Sequence, residues 1–309
     1  MDGIIPLWKE KGMTSHDCVF KLRKILQTKK VGHTGTLDPD VEGVLPICIG
    51  RATKLAEYIT DEGKVYEATV TLGAATTTED ASGEVIAEKA ITESILPIDV
   101  EKAAKSFVGT IQQTPPMYSA VKVKGRRLYE YARAGIEVER PIRTVNIYAI
   151  DLLKPYTPIS PDNNTFRICI HCGKGTYIRT LAVMIGEKLG YPAHMSELKR
   201  TQSGIFTEAQ CFTLAEIEAL RAKEDEASFL YPLEDGLSDM KKQDISDLVY
   251  EKVLNGVVLP EQFIKDRSDG RVALMHNNKL TAIYVQHPER RDFWKPEKVI
   301  ELRAGKLTK

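Results

Sequence analysis

"VGHTGTLDPDVEGVLPICIG", residues 31–50, places an acid, Asp38, between Leu37 and Pro39, with glycines at 32, 35 and 43 around it. A residue that precedes proline is pushed out of the helical region, and glycines let another stretch of backbone come close. The segment therefore reads as an irregular loop that presents Asp38 instead of enclosing it in a regular element. Asp, Pro and Gly are also ordinary turn residues, so from these letters alone a solvated surface turn fits as well.

On its N-terminal side the loop follows "TSHDCVFKLRKILQ", residues 14–27. Val19, Leu22 and Leu26 recur at helical spacing, with Ser15 as N-cap and Asp17 in the first turn. On its C-terminal side "KVYEATVTLG" alternates Tyr66, Ala68, Val70 and Leu72 with polar residues, the period of a strand. "TFRICIHCGKGTYIRTLAVMIGEKLG" reads as a strand, a Gly-Lys-Gly turn and a helix that Gly190 stops, with Arg179 in the helix's first turn. Strands separated by helices and hairpins predict an α/β (mixed α+β) domain.

The length of 309 residues and 42% hydrophobic content allow a large domain and a smaller one. A boundary falls in the charged segment "RAKEDEASFLYPLEDG", after a helix beginning at Thr213. We expect residues 1–229 to form one domain and residues 230–309 a small β-rich module. A short helix in "DISDLVYEKVLNG", a hairpin turning at Asn277 and Asn278, and a last strand in "WKPEKVIEL" would build it. A chain ending near Phe229 is expected to fold by itself.

Lysine plus arginine and aspartate plus glutamate number 43 each, so net charge decides nothing, but its distribution is uneven. Residues 18–37 carry five bases and no acid. Residues 122–143 carry Lys122, Lys124, Arg126, Arg127, Arg133, Arg140 and Arg143 around Tyr129 and Tyr131. Bases interleaved with aromatics suit a polyanion with stackable rings, although a solvated charged face reads the same way. No apolar run is long enough to span a membrane and the start lacks a signal peptide's apolar core. Five scattered cysteines suit reduced thiols, and the expected compartment is cytoplasmic.

Several sharper motifs fail on their own chemistry. "DPDVEG" begins like a calcium loop, but Ile49 stands where the bidentate glutamate belongs. Ser15, His16 and Asp17 are consecutive and point apart, so they make no catalytic relay. Cys169 and Cys172 lie three apart on a strand, on opposite faces, with no second pair, so no metal is expected.

The motif series "GHTGTLDPDVEGVLPICIGRATK", "KVYEATVTLG", "PPMYSAVKVKGRRLYEYARAG", "GTYIRTLA" and "LKRTQSG" resembles, in content and order, that of the bacterial TruB-type tRNA pseudouridine synthases. The resemblance runs from about Lys9 to Gly204, and the C-terminal part is similar in size to that family's PUA-like RNA-binding module. One departure is Glu10, where the family's N-terminal motif has proline. The resemblance implies a mixed sheet flanked by helices and a cofactor-free isomerisation of a uridine in the T loop of tRNA, position 55. Asp38 would be the essential carboxylate, with Arg179 paired to it and keeping it ionised. Tyr66 would lie against the flipped uracil and Leu198 would pack on it, with Lys64 and Tyr177 beside them. His33 would fill the place the base leaves, and residues 115–143, with Arg126 and Arg127, would form a mobile thumb on the RNA. The implied partner is the tRNA T arm, bound by a monomer away from any membrane. A non-catalytic RNA-binding or RNA-folding protein of the same fold is the alternative, and a two-carboxylate glycosidase a more distant one.

Overall fold

The computed structural model describes residues 1–267 and 270–301; the end of the expected C-terminal module, 302–309, lies outside the described residues. A mixed sheet forms the body. Its main strands run in the order Gly3–Lys9, Glu42–Ile49, Ala193–Ser203, Lys64–Leu72, Thr165–Cys172, Arg143–Leu152 and Gly109–Gln113. All these neighbours are antiparallel except Glu42–Ile49 and Ala193–Ser203, whose parallel register sets Lys199 against Glu42 and Arg200 against Gly43. Gly43 is required there, because at its φ of 133° a side chain would be strained and its Cβ would collide with the Arg200 backbone.

The expected alternation holds on Lys64–Leu72, where Tyr66, Ala68, Val70 and Leu72 are buried. They join Leu181, Ala182 and Ile185 of the helix Ile178–Leu189 in one core. Gly190 caps that helix in the left-handed conformation, as read from the sequence.

At the first helix, Ser15–Ile25, the cap differs from expectation. Thr14 is the N-cap and closes a capping box with Asp17. Ser15 is buried and ties the helix to the loop instead: the Leu37 N–H donates to its Oγ at 2.9 Å. The residue read as a cap is thus spent holding the neighbour of Asp38.

A second, five-stranded sheet contains Arg271–His276, Lys279–Gln286 and Phe293–Val299, with Asn277 and Asn278 turning the hairpin in left-handed conformations. The helix Asp247–Leu254 packs on this sheet. Each sheet has a core of its own, but the two are not independent. One buried cluster joins Ile4, Leu55, Ile59 and Phe206 to Leu233, Leu237, Met275, Leu280 and Ile283. Ser238 also donates to the buried Glu62 at 3.0 Å. Independent folding of residues 1–229 therefore conflicts with the packing, because the apolar faces of Ile4, Leu55 and Ile59 are covered by residues beyond Phe229. A chain ending at Phe229 is expected to melt at least about 4 °C below the full chain and to bind a hydrophobic dye, since even ~2 kcal/mol shifts a midpoint by about that much. Equal melting temperatures in scanning calorimetry would restore the independent domain.

Candidate active site

Asp38 lies outside any strand or helix, on a loop fixed from three directions. Leu37 is held by Ser15, and the Asp38 carbonyl accepts from the Val41 N–H at 3.1 Å. The Gly12 N–H and the Lys9 ammonium both donate to the Pro39 carbonyl, and Lys9 donates to Val41 at 2.6 Å. Lys9 is wholly buried, and burial pulls its pKa down. Its work is to satisfy carbonyls that the irregular loop leaves without strand partners. The turn carrying Glu10 keeps this clamp without proline, since the Glu10 carbonyl also accepts from Lys9.

Arg179 meets this loop from the first turn of its helix. A cation at a helix N-terminus opposes the helix dipole, so its partners must offset that placement. Its guanidinium lies 3.1 Å from Asp38 and 3.3 Å from Asp80, and donates to the carbonyls of Thr78 at 3.0 Å and Tyr118 at 2.9 Å. Its side chain is 7% exposed, whereas that of Asp38 keeps 43% of its surface open.

The two carboxylates on Arg179 are tuned apart. Burial among cleft residues raises the Asp38 carboxyl above its ordinary value; Arg179 pulls it down and Asp80 pushes it up, so the arginine does not hold it below the usual range. Burial also works against Asp80, but bonds from Ser82 and Thr78 and the charge of Arg179 leave it below its ordinary value. Asp80 therefore holds its charge to lower pH than Asp38 does.

Asp38 and Arg179 stand at a cleft of about 260 Å³ whose lining includes Lys64, Tyr66, Tyr177, Leu198 and Arg200. Tyr66 and Leu198 come from adjacent strands, with Arg200 directly opposite Tyr66. Lys64 is buried and donates to the Thr60 and Glu62 carbonyls; burial pushes it down to about 8. Tyr177 is fixed through its backbone, whose N–H donates to Gln113 at 3.0 Å and whose carbonyl accepts from the same side chain at 3.2 Å.

Three expected residues are elsewhere. His33 is on the short strand Val31–His33, does not line the cleft, and accepts from the Gly35 N–H. Arg126 and Arg127 are exposed on a hairpin against Lys122–Val123, their guanidinium groups over Tyr131 and Tyr129. Cys169 and Cys172 belong to the strand Thr165–Cys172, where Cys172 is buried and Cys169 partly open.

Comparison with known proteins shows the family. Residues 23–178 match the model of the TruB family pseudouridylate synthase N-terminal domain, and residues 179–260 that of the tRNA pseudouridylate synthase B C-terminal domain. The chain belongs to the TruB family. It is 64% identical to the tRNA pseudouridine synthase B of Listeria welshimeri over 99% of this chain and 100% of that one. Identity to the Bacillus subtilis protein of the same name is 52%, over 97% and 98%. Among solved structures, a chain of a Cbf5–Nop10–Gar1 complex superposes with a TM-score of 0.73 at 31% identity, over 97% of this chain and 85% of that one. As a TruB family member the chain is an isomerase that makes pseudouridine. Among the described residues no helix is long and apolar enough to cross a membrane.

The like-charge coupling has a direct readout. Carbon-detected NMR titration should place the Asp38 carboxyl above the ordinary 3.8. Asp80→Asn removes one like charge, so the midpoint should move to lower pH. A midpoint that stays put or rises would show that Asp80 does not act on Asp38.

Proposed function

We propose that the chain converts uridine 55 in the T loop of tRNA to pseudouridine, with Asp38 as the reacting carboxylate. The observation that carries this is the 3.1 Å pairing of Asp38 with a buried arginine at the mouth of an aromatic cleft. The reaction breaks the bond from N1 of uracil to C1′ of the ribose, turns the base, and joins C5 to C1′. One proton leaves C5 and one arrives at N1, so no cofactor is consumed. A carboxylate can stabilise the electron-poor intermediate, covalently or by charge, only while it is ionised. The open face of Asp38 gives substrate access, and Arg179 orients it.

A uridine stacked inside RNA must first leave its stack, at a cost of a few kcal/mol that contacts in the pocket offset. In this reading Tyr66 and Leu198 take the two faces of the base, and Tyr177 and Lys64 close the sides. His33, outside the cleft, fills the place vacated in the RNA. Residues 115–143 form a thumb over the RNA backbone, with Arg126 and Arg127 at phosphates. Residues 1–229 carry the chemistry and residues 230–309 a PUA-like RNA-contacting module. The protein works as a cytoplasmic monomer. Two relatives support an RNA substrate: the Listeria protein by its name, and an H/ACA ribonucleoprotein solved with a substrate RNA, one chain of which is 27% identical with a TM-score of 0.72.

Asp38→Asn should abolish pseudouridine formation in T-arm RNA, followed by carbodiimide and primer extension, while RNA binding stays within a few fold. Turnover near the wild-type rate would remove Asp38 from the chemistry and leave an RNA-binding role as the better reading.

The thumb answers to salt. Each phosphate contact contributes ~0.7 to 0.9 to the log-log slope of affinity against salt. Replacing Arg126 and Arg127 by alanine should lower that slope by about one to two units and leave single-turnover chemistry at saturating RNA largely intact. An unchanged slope would make this hairpin a solvated face.

A further inference from the structure

Arg200 is a buried charged group in the cleft that the reading above leaves without a task. It is 1% exposed, on the strand Ala193–Ser203. Its Nε donates to the Val44 carbonyl at 2.7 Å. Its Nη2 is buried with no hydrogen-bond partner, and among the described residues no carboxylate pairs with it. It also acts on charges of its own sign: after burial, Arg200 adds to the lowering of Lys64 and, more weakly, of Lys9.

Burying an unpaired cation costs several kcal/mol, and an arginine cannot escape by losing its proton. An apolar residue of the same length would fit the strand without that cost. Such a group is retained where it has electrostatic work to do, and the strand register shows where. Arg200 is the direct cross-strand partner of Tyr66. Arg200 is the side chain hydrogen-bonded to the Tyr66 hydroxyl, and its guanidinium is the leading charge acting on it, with Asp38 weaker. Burial raises the phenol above its ordinary value, while Arg200 pulls it the other way.

An arginine can only donate hydrogen bonds. Facing Tyr66, it can meet the phenol oxygen but never its proton, so the O–H bond is turned away from Arg200 and toward the cleft. We propose that Arg200 is a positioning residue for this isomerisation, acting through Tyr66: it fixes the hydroxyl's orientation toward the base and stabilises negative charge that builds on the phenol oxygen. The proposal rests on the reading that Tyr66 faces the uracil. It adds a group whose effect on the base runs through the Tyr66 hydroxyl.

The test is a double-mutant cycle on the single-turnover rate at saturating T-arm RNA. Arg200→Met should lower the rate tenfold to a hundredfold in the wild-type background, with RNA affinity changed less than about threefold. In the Tyr66→Phe background, where no hydroxyl remains, the same change should cost less than about threefold. Non-additivity of this kind marks groups that act together. Equal losses in both backgrounds would overturn the proposal, since a role confined to packing the strand does not depend on the hydroxyl. Arg200→Lys, run through the same cycle, keeps a cation but loses the fork, and decides the matter if the methionine variant does not fold. Failure of the underlying reading looks different: Tyr66→Phe alone would then turn over at the wild-type rate.

Discussion

One guanidinium joins four pieces of chain that are far apart in sequence. Arg179 pairs with Asp38 from the glycine loop and Asp80 from a tight turn, takes the Tyr118 carbonyl from the segment before the Lys122–Arg127 hairpin, and belongs to the helix that covers the sheet. Each of these pieces carries backbone or charge that would be poorly satisfied alone. Together they balance: two carboxylates and two carbonyls surround a buried cation. Removing either carboxylate changes the electrostatics of the other, because both compete for the same donor.

Around this hub the protein uses its other buried cations in two different ways. Lys9 serves the backbone, gathering carbonyls of the loop that carries Asp38. Lys64 does the same for the segment before its strand, with its proton held weakly at about 8. Arg200 serves neither to the full, since part of its donor set is unpaired. Of the three, Lys64 and Arg200 line the cleft and make its wall favour electron-rich ligands, and a uracil with two carbonyl oxygens is one.

The parts of this arrangement that local rules could reveal were those with a local signature. Alternation exposed the Lys64–Leu72 strand and placed Tyr66 on its buried face. Helical spacing and Gly190 set the bounds of the helix bearing Arg179, and a proline after Asp38 marked its loop. The roles of Arg179, Tyr66 and Leu198 came through family resemblance, because no spacing in one chain shows that Asp38 and Arg179 meet across 141 positions. Asp80 was missed, since "EDASGE" reads as any acidic turn and its hydrogen bonds to Thr78 and Ser82 are what turns do. Ser15 was misassigned because Thr14 and Ser15 are equally good caps, and the choice depends on Leu37, a contact 22 residues away. The shared core stayed hidden for the same reason: the charged linker is visible, but what Ile4 and Ile59 pack against is not.

The one parallel pairing of the sheet also sets when this site can exist. The strand after Asp38 must wait for residues near Arg200, about 157 positions later, before its edge at Glu42 and Gly43 is filled. At ~5 to 20 residues per second of synthesis, that interval is roughly 8 to 30 seconds on the ribosome. Through it, the apolar strand Glu42–Ile49 is paired with Gly3–Lys9 on one side and, at Ile47–Ile49, with Val31–His33 on the other, so that the edge left open is the one at Glu42 and Gly43. Pairings of such sequence separation form late, because their loop entropy is lost before the contact repays it. The cleft is therefore among the last features of the chain to close, and a nascent enzyme has its aspartate long before it has the wall beside it.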